Sequence, residues 1–140
     1  MLRLASFYVV LLTGSLMAAE PIVPNVVLAI HGGIGLDKKD MTPELAVKIK
    51  ADLAASLTAG YAVIVKGGDS LDAVQAAIVV MEDSPLFNAG KGAVFTHDGR
   101  NELDASVMEG KTKRAGSVAG VTTVKNPILA ARAAATLEEA

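Results

Sequence analysis

The sequence has 140 residues, enough for one domain of ordinary size, and its 13 basic and 15 acidic residues leave a net charge of −2, which argues against nucleic acid or an anionic membrane as the main partner. Cysteine is absent, which excludes disulfides, thiol catalysis and Cys-ligated zinc. Hydrophobic residues make up 51% and aromatics only 4%, so the core must be aliphatic and rich in alanine.

The chain opens with one early cation, Arg3, an apolar run from Leu4 to Leu12, and the small residues Ala18 and Ala19. This pattern predicts a secretory signal peptide over residues 1–19, although Met17 is a poor fit to a cleavage site after Ala19, and an uncleaved anchor is the alternative. Export to the periplasm or outside the cell follows from that reading. Residues 20–25, with Pro21 and Pro24, read as a linker, and residues 26–140 as the folded part.

The stretch Val26 to His31 reads as a buried strand running into the glycine-rich turn "HGGIG". Thr42-Pro43 is a helix start, a capping residue followed by proline at the first helical position. Apolar residues then step by four through Leu45, Ile49, Leu53, Leu57, Tyr61 and Val65. "YAVIV" would suit a strand by propensity, but the fourfold row predicts a helix ending at Gly67-Gly68. Asp69-Ser70 opens a second helix with the face Leu71, Val74, Ile78, Met81; alanines and Val80 make it apolar all round, as expected of a helix held between layers. Three strands are then predicted: Ala93 to Thr96, Glu102 to Met108, and Gly116 to Val124. Asp98-Gly99 is a two-residue hairpin signal after the first of them. Asn126-Pro127 opens a last helix, "PILAARAAATLEEA", whose acidic end carries no stop signal, so the helix and the domain are expected to continue beyond Ala140. Segregated runs of helices and strands favour an α+β fold, an antiparallel sheet covered by helices.

No single motif supplies an active site. "NAGKG" is not a phosphate loop: Pro85 stands where the first glycine belongs, and Gly92 where a Ser or Thr should follow the lysine. The glycines of "HGGIG" do not match the dinucleotide fingerprint, and no G-x-S-x-G accompanies them to make an esterase. The two histidines, His31 and His97, lack acids at ligand spacing and make a poor zinc site. His31 reads as a packed residue at a strand end, His97 as an exposed neighbour of the Asp98-Gly99 turn, and Asp72 and Asp104 as structural acids.

Taken in order, "AIHGGIG", "SLDAVQAAIVVMEDSPLFNAGKGAVF", "NELDASVMEGKTKRAGSVAGV" and "NPILAAR" are far more specific. Over roughly Val26 to Arg132 the chain closely resembles the N-terminal, α-subunit portion of the plant-type asparaginases, or isoaspartyl peptidases. The resemblance implies an αββα sandwich of the N-terminal-nucleophile hydrolases, of which this chain supplies only the N-terminal part. It implies a precursor that cuts itself to free a threonine, which then attacks the side-chain amide of asparagine or a β-aspartyl dipeptide. A freed α-amine next to a threonine hydroxyl can act as its base, so no cofactor is needed for the chemistry.

The resemblance also assigns residues. The loop "MEDSPLFNAGK" would wrap a structural sodium ion through the backbone carbonyls of Met81, Glu82, Ser84, Phe87, Ala89 and Lys91, oxygen donors that suit a hard cation. Asn88 would lie near the nucleophile, with Gly32 and Gly33 in the turn beside the cleavage site and Gly32 changing conformation on maturation. Partners implied are a β-subunit, a small amide substrate, and a second copy in an (αβ)2 dimer. The catalytic threonine itself is not in this sequence, because none of its threonines follows a glycine. The alternatives are a glycosylasparaginase-type amidase, which usually lacks the "HGG" opening and "PLFNAGKGAVF", and a non-catalytic partner chain for a separately encoded β-subunit.

Overall fold

The computed structural model describes residues 25–33 and 38–137. The expected signal peptide, most of the linker, the second half of "HGGIG" and the final Glu138-Glu139-Ala140 lie outside these residues.

Helix α1 spans Pro43–Val65. Thr42 sits in the extended region before it, and its Oγ1 accepts a hydrogen bond from the Leu45 N–H at 3.2 Å, satisfying one of the free donors of the first turn. The helix runs through "YAVIV" and stops where expected. Gly67 takes φ +80°, and the Gly67 and Gly68 N–H groups donate back to the carbonyls of Ile64 and Val63, each at 2.9 Å, a left-handed helix stop suited to glycine. Helix α2 spans Ser70–Glu82, with Asp69 as its cap; the Asp69 carboxylate accepts from the Asp72 N–H at 2.7 Å.

The two helices meet through small residues. Ser56 and Gly60 on α1 are buried against Ala73 and Ala77 on α2. A Cβ on Gly60 would lie 2.8 Å from the Ala73 carbonyl oxygen and 3.2 Å from the Ala77 Cβ. The Ser56 hydroxyl, itself buried, donates to the Ala77 carbonyl at 2.8 Å. The fourfold apolar row of α1 is therefore not the face that meets α2. Its C-terminal members Leu57, Tyr61 and Val65 are exposed, and with Val26, Val27 and Leu28 they line an open apolar groove.

Strands β1 (Leu103–Met108) and β2 (Ala115–Val121) form an antiparallel pair, the one sheet among the described residues. On β1 the expected alternation holds: Leu103, Ala105 and Val107 turn inward, and Asp104, Ser106 and Met108 outward. The register runs Met108↔Ala115 to Ala105↔Val118, then shifts before Leu103↔Val121. At that irregularity Gly120 has φ +63°, and its N–H donates to Asp104 Oδ1 at 2.8 Å. Asp104 thus has the structural role expected of it. Helix α3 spans Pro127–Leu137 and packs across both strands. Val107, Ile128, Ala131 and Ala135 form the core, with Leu71, Ile78 and Val79 of α2 closing it from the other side. So α2 does lie between layers, α1 on one side and the sheet with α3 on the other.

Two expected strands do not form. Residues 26–31 run without regular structure, and Val27 is 92% exposed. Extended chain becomes strand only where a neighbour completes the ladder, and none of the described residues does so. Ala93 to Thr96 is likewise a loop. The Asp98-Gly99 turn closes as expected, with Gly99 at φ +71° and the Thr96 N–H donating to the Arg100 carbonyl at 2.7 Å. Beyond it, side chains take the backbone groups a ladder would use. Asn101 Nδ2 donates to the Ala93 and Val94 carbonyls, at 2.7 and 3.3 Å, and Asn88 Oδ1 accepts from the Val94 N–H at 3.0 Å. Among the described residues the architecture is mixed, three α-helices and a two-stranded antiparallel sheet, compatible with the α+β reading.

Candidate functional site

The end of α2 turns directly into the loop 81–92, and that loop folds back on itself. Its own amides tie it: Ser84 N–H to the Met81 carbonyl at 3.2 Å, Ala89 N–H to Phe87 at 2.8 Å, and Gly92 N–H to Ala89 at 3.0 Å. Two glycines allow the return. Gly90 has φ +48°, and a Cβ there would collide with the Glu82 carbonyl and lie 2.8 Å from the Glu82 Cβ. A Cβ on Gly92 would collide with the Phe87 carbonyl and lie 2.9 Å from the Pro85 carbonyl oxygen. Only residues without Cβ let the backbone pass this close.

Three side chains bolt the loop to the rest of the molecule. The Ser84 hydroxyl, buried, donates to Asp52 Oδ2 on α1 at 2.6 Å and accepts from the Leu86 N–H at 3.1 Å. Glu82, only 3% exposed, accepts from the Ile128 N–H at the start of α3 at 3.0 Å. Asp83 pairs with Lys125 at 2.8 Å and accepts from the Asn126 amide at 3.1 Å.

The neighbouring acids are perturbed in opposite directions. Burial pushes the Glu82 carboxyl above its ordinary value, opposed by the hydrogen bonds from Ile128 and Asn126, with the Asp83 charge adding to the rise. The hydrogen bonds from Lys125 and then Asn126 hold Asp83 below the usual carboxylate range. Glu82 Oε2 is buried with no hydrogen-bond partner among the described residues, a condition that calls for an explanation in a folded protein.

The loop returns against the "HGG" turn. Gly32 lies on the Phe87 ring, where an added Cβ would come 3.2 Å from Cε1. Gly32, Gly33 and Asn88 line a cavity of about 240 Å³ together with Glu82, Asp104 and Ser106. The same three residues also border a groove of about 430 Å³ that opens toward Met41, Leu45 and Ile49. The structure places Met81, Glu82, Ser84, Phe87, Asn88, Ala89 and Lys91 on one folded loop, with Gly32 and Gly33 beside it.

His31 is exposed rather than packed, because no strand neighbour covers it; its Nδ1 accepts from the Gly33 N–H at 3.2 Å and braces the turn. His97 is exposed beside its turn, as expected. Asp72 pairs with Arg132 at 2.7 Å, a structural tie between α2 and α3. Among the described residues no cluster of three or more His, Asp or Glu side chains could hold a metal ion. What the loop offers a cation is backbone: it closes tightly at Gly90 and Gly92, and the side chains of Asp83 and Ser84 and one carboxylate oxygen of Glu82 are engaged elsewhere. Sequence reasoning missed Asp52 and the side-chain role of Glu82. Their partners lie 32 and 46 residues away, and no local signal announces either contact.

Comparison with known proteins shows the family. The family model described as asparaginase matches residues 24–139, and the chain belongs to that family. It is 46% identical over 109 residues to an isoaspartyl peptidase of Escherichia coli, covering 77% of this chain and 34% of the relative. It is 47% identical over 107 residues to a plant-type L-asparaginase of Pyrococcus abyssi, covering 76% and 34%. An isoaspartyl peptidase/L-asparaginase of Bos taurus is 39% identical over 112 residues, covering 77% and 34%. The chain thus spans about a third of the length of the curated relatives it matches.

Proposed function

We propose that this chain is the α-subunit part of a threonine-type amidohydrolase that cleaves the side-chain amide of asparagine or of β-aspartyl dipeptides. The observation that carries the reading is the convergence of Asn88, Gly32 and Gly33 on one cavity beside the folded-back loop, in a chain whose relatives are named for these activities. The complete fold is an αββα sandwich, in which the exposed apolar row of α1 and the unpaired segment 26–31 are covered by further strands. The nucleophile is a threonine on a β-subunit segment, released by self-cleavage so that its own α-amine serves as base. Asn88 holds the nucleophile's surroundings, and Gly32 provides the turn that shifts as the precursor matures. Two αβ units form the working dimer.

The 81–91 loop binds a sodium ion through the six carbonyls named above; the bound ion supplies structural rigidity, not reaction chemistry. Residues 1–19 direct export and are removed.

Mass spectrometry of the complete, processed polypeptide tests the reading. A mature chain beginning near Glu20 and a second chain beginning with threonine are expected, with uncleaved precursor accumulating in Asn88→Ala. An intact Met1 terminus on the purified protein defeats the export reading. A single uncleaved chain that is nonetheless active defeats the proposed nucleophile.

A further inference from the structure

The cation reading leaves open what fixes the size of the loop. We propose that Glu82 and Ser84, with Asp52 as the partner on α1, form a two-point brace that sets the cation affinity and size selectivity of the 81–91 loop. The inference rests on that loop being a cation site.

Glu82 and Ser84 would each offer a carbonyl to the ion, while their side chains run elsewhere. Glu82 reaches the first turn of α3 through the Ile128 N–H at 3.0 Å. Ser84 reaches α1 through Asp52 at 2.6 Å and returns to its own loop through the Leu86 N–H at 3.1 Å. Both residues are buried, at 3% and 6% exposure; the Glu82–Ile128 bond is buried and the Ser84–Asp52 bond partly so. The anchors lie on two different helices, and between them Asp83 is tied to Lys125 and Asn126. Three consecutive residues are therefore fixed to the frame by side chains rather than by the ion.

The consequence is selectivity. A ring of neutral carbonyls that resists contracting or expanding discriminates by size among lithium, sodium and potassium. A loop held at residues 82 and 84 relaxes around the wrong ion only by straining these hydrogen bonds. Asp52 and the two side chains are positioning groups: they orient the donors without touching the ion, and losing partners of this kind typically costs about 10–100-fold in metal affinity.

The test is a set of thermal melts of the complete polypeptide titrated with lithium, sodium or potassium chloride at constant ionic strength. Wild type is expected to gain Tm with sodium more strongly than with the other two. Ser84→Ala and Asp52→Ala keep every carbonyl of the loop, yet should need about tenfold more sodium for half the effect and should discriminate less between sodium and potassium. Asp52→Asn and Glu82→Gln keep an acceptor oxygen and should stay near wild type, whereas Glu82→Ala should follow Ser84→Ala. Should Glu82→Ala not fold, Ser84→Ala against Asp52→Asn carries the comparison. Variants that lose Tm in cation-free buffer but keep the wild-type sodium midpoint and selectivity overturn the brace while leaving the cation site standing. A wild type indifferent to all three cations removes the cation site itself, and the brace with it.

Discussion

Gly116→Val is expected to destabilise the chain by at least about 3 kcal/mol, at the upper end of what overpacking costs. Gly116 faces α3 from β2, and a Cβ there would collide with the Ala131 carbonyl and the Ala135 backbone nitrogen and lie 2.8 Å from the Ala135 Cα. All three obstacles are helix backbone, so no side-chain rotation relieves them. The helix can only move away, and Ile128, Ala131 and Ala135 would then leave the core they form with Val107. A domain of this size commonly has about 5–15 kcal/mol in total, so the loss is a large share. Urea unfolding monitored by circular dichroism measures it. Ala119→Val, an exposed position on the same strand, adds β-branched bulk without the collision and should stay within about 0.5 kcal/mol. Equal midpoints for the two variants would mean that β2 and α3 do not approach as described.

Gly90→Ala carries the second large effect, because it strains the loop in two ways. Left-handed backbone costs an alanine about 1–2 kcal/mol, and φ at Gly90 is +48°. Overpacking against the Glu82 carbonyl and Cβ adds a further ~1–3 kcal/mol. Gly99 separates the two contributions: it has φ +71° with nothing within 4 Å of an added Cβ, so Gly99→Ala should show the strain alone. The same melts in sodium check the functional side. Gly90→Ala is expected to lose the sodium response, and Gly99→Ala to keep it. Equal losses of stability in the two variants would show that the loop does not close over Glu82.

The elements that could be read from the sequence are those whose signals are local. Thr42-Pro43 and Asp69 mark the starts of α1 and α2, Gly67-Gly68 stops α1, and Asn126-Pro127 opens α3; each does so through bonds spanning a few residues. The alternation of β1 was legible for the same reason. The segments 26–31 and 93–96 have strand composition, but a strand depends on what lies beside it. At 93–96 the side chains of Asn88 and Asn101 take the amide and carbonyls, an outcome that propensity does not encode. The loop 81–91 was singled out through the resemblance of "MEDSPLFNAGK" to the asparaginase family rather than from any chemistry of its side chains. What anchors it was hidden, since Asp52 and Ile128 reach it only through the folded chain. The contact of Gly116 with α3 was hidden likewise, because a glycine in a strand says that something approaches closely, but not what.

The most direct test of the account is release of aspartate from asparagine and from a β-aspartyl dipeptide. It is measured side by side for the complete polypeptide carrying this segment and for the 140-residue chain alone. The account predicts turnover by the complete polypeptide, because the proposed nucleophile is a threonine freed there with its own amine as base. It predicts none by the 140-residue chain, in which no threonine follows a glycine. Turnover by the 140-residue chain, surviving further purification and tracking its concentration, would contradict the account and place the nucleophile elsewhere.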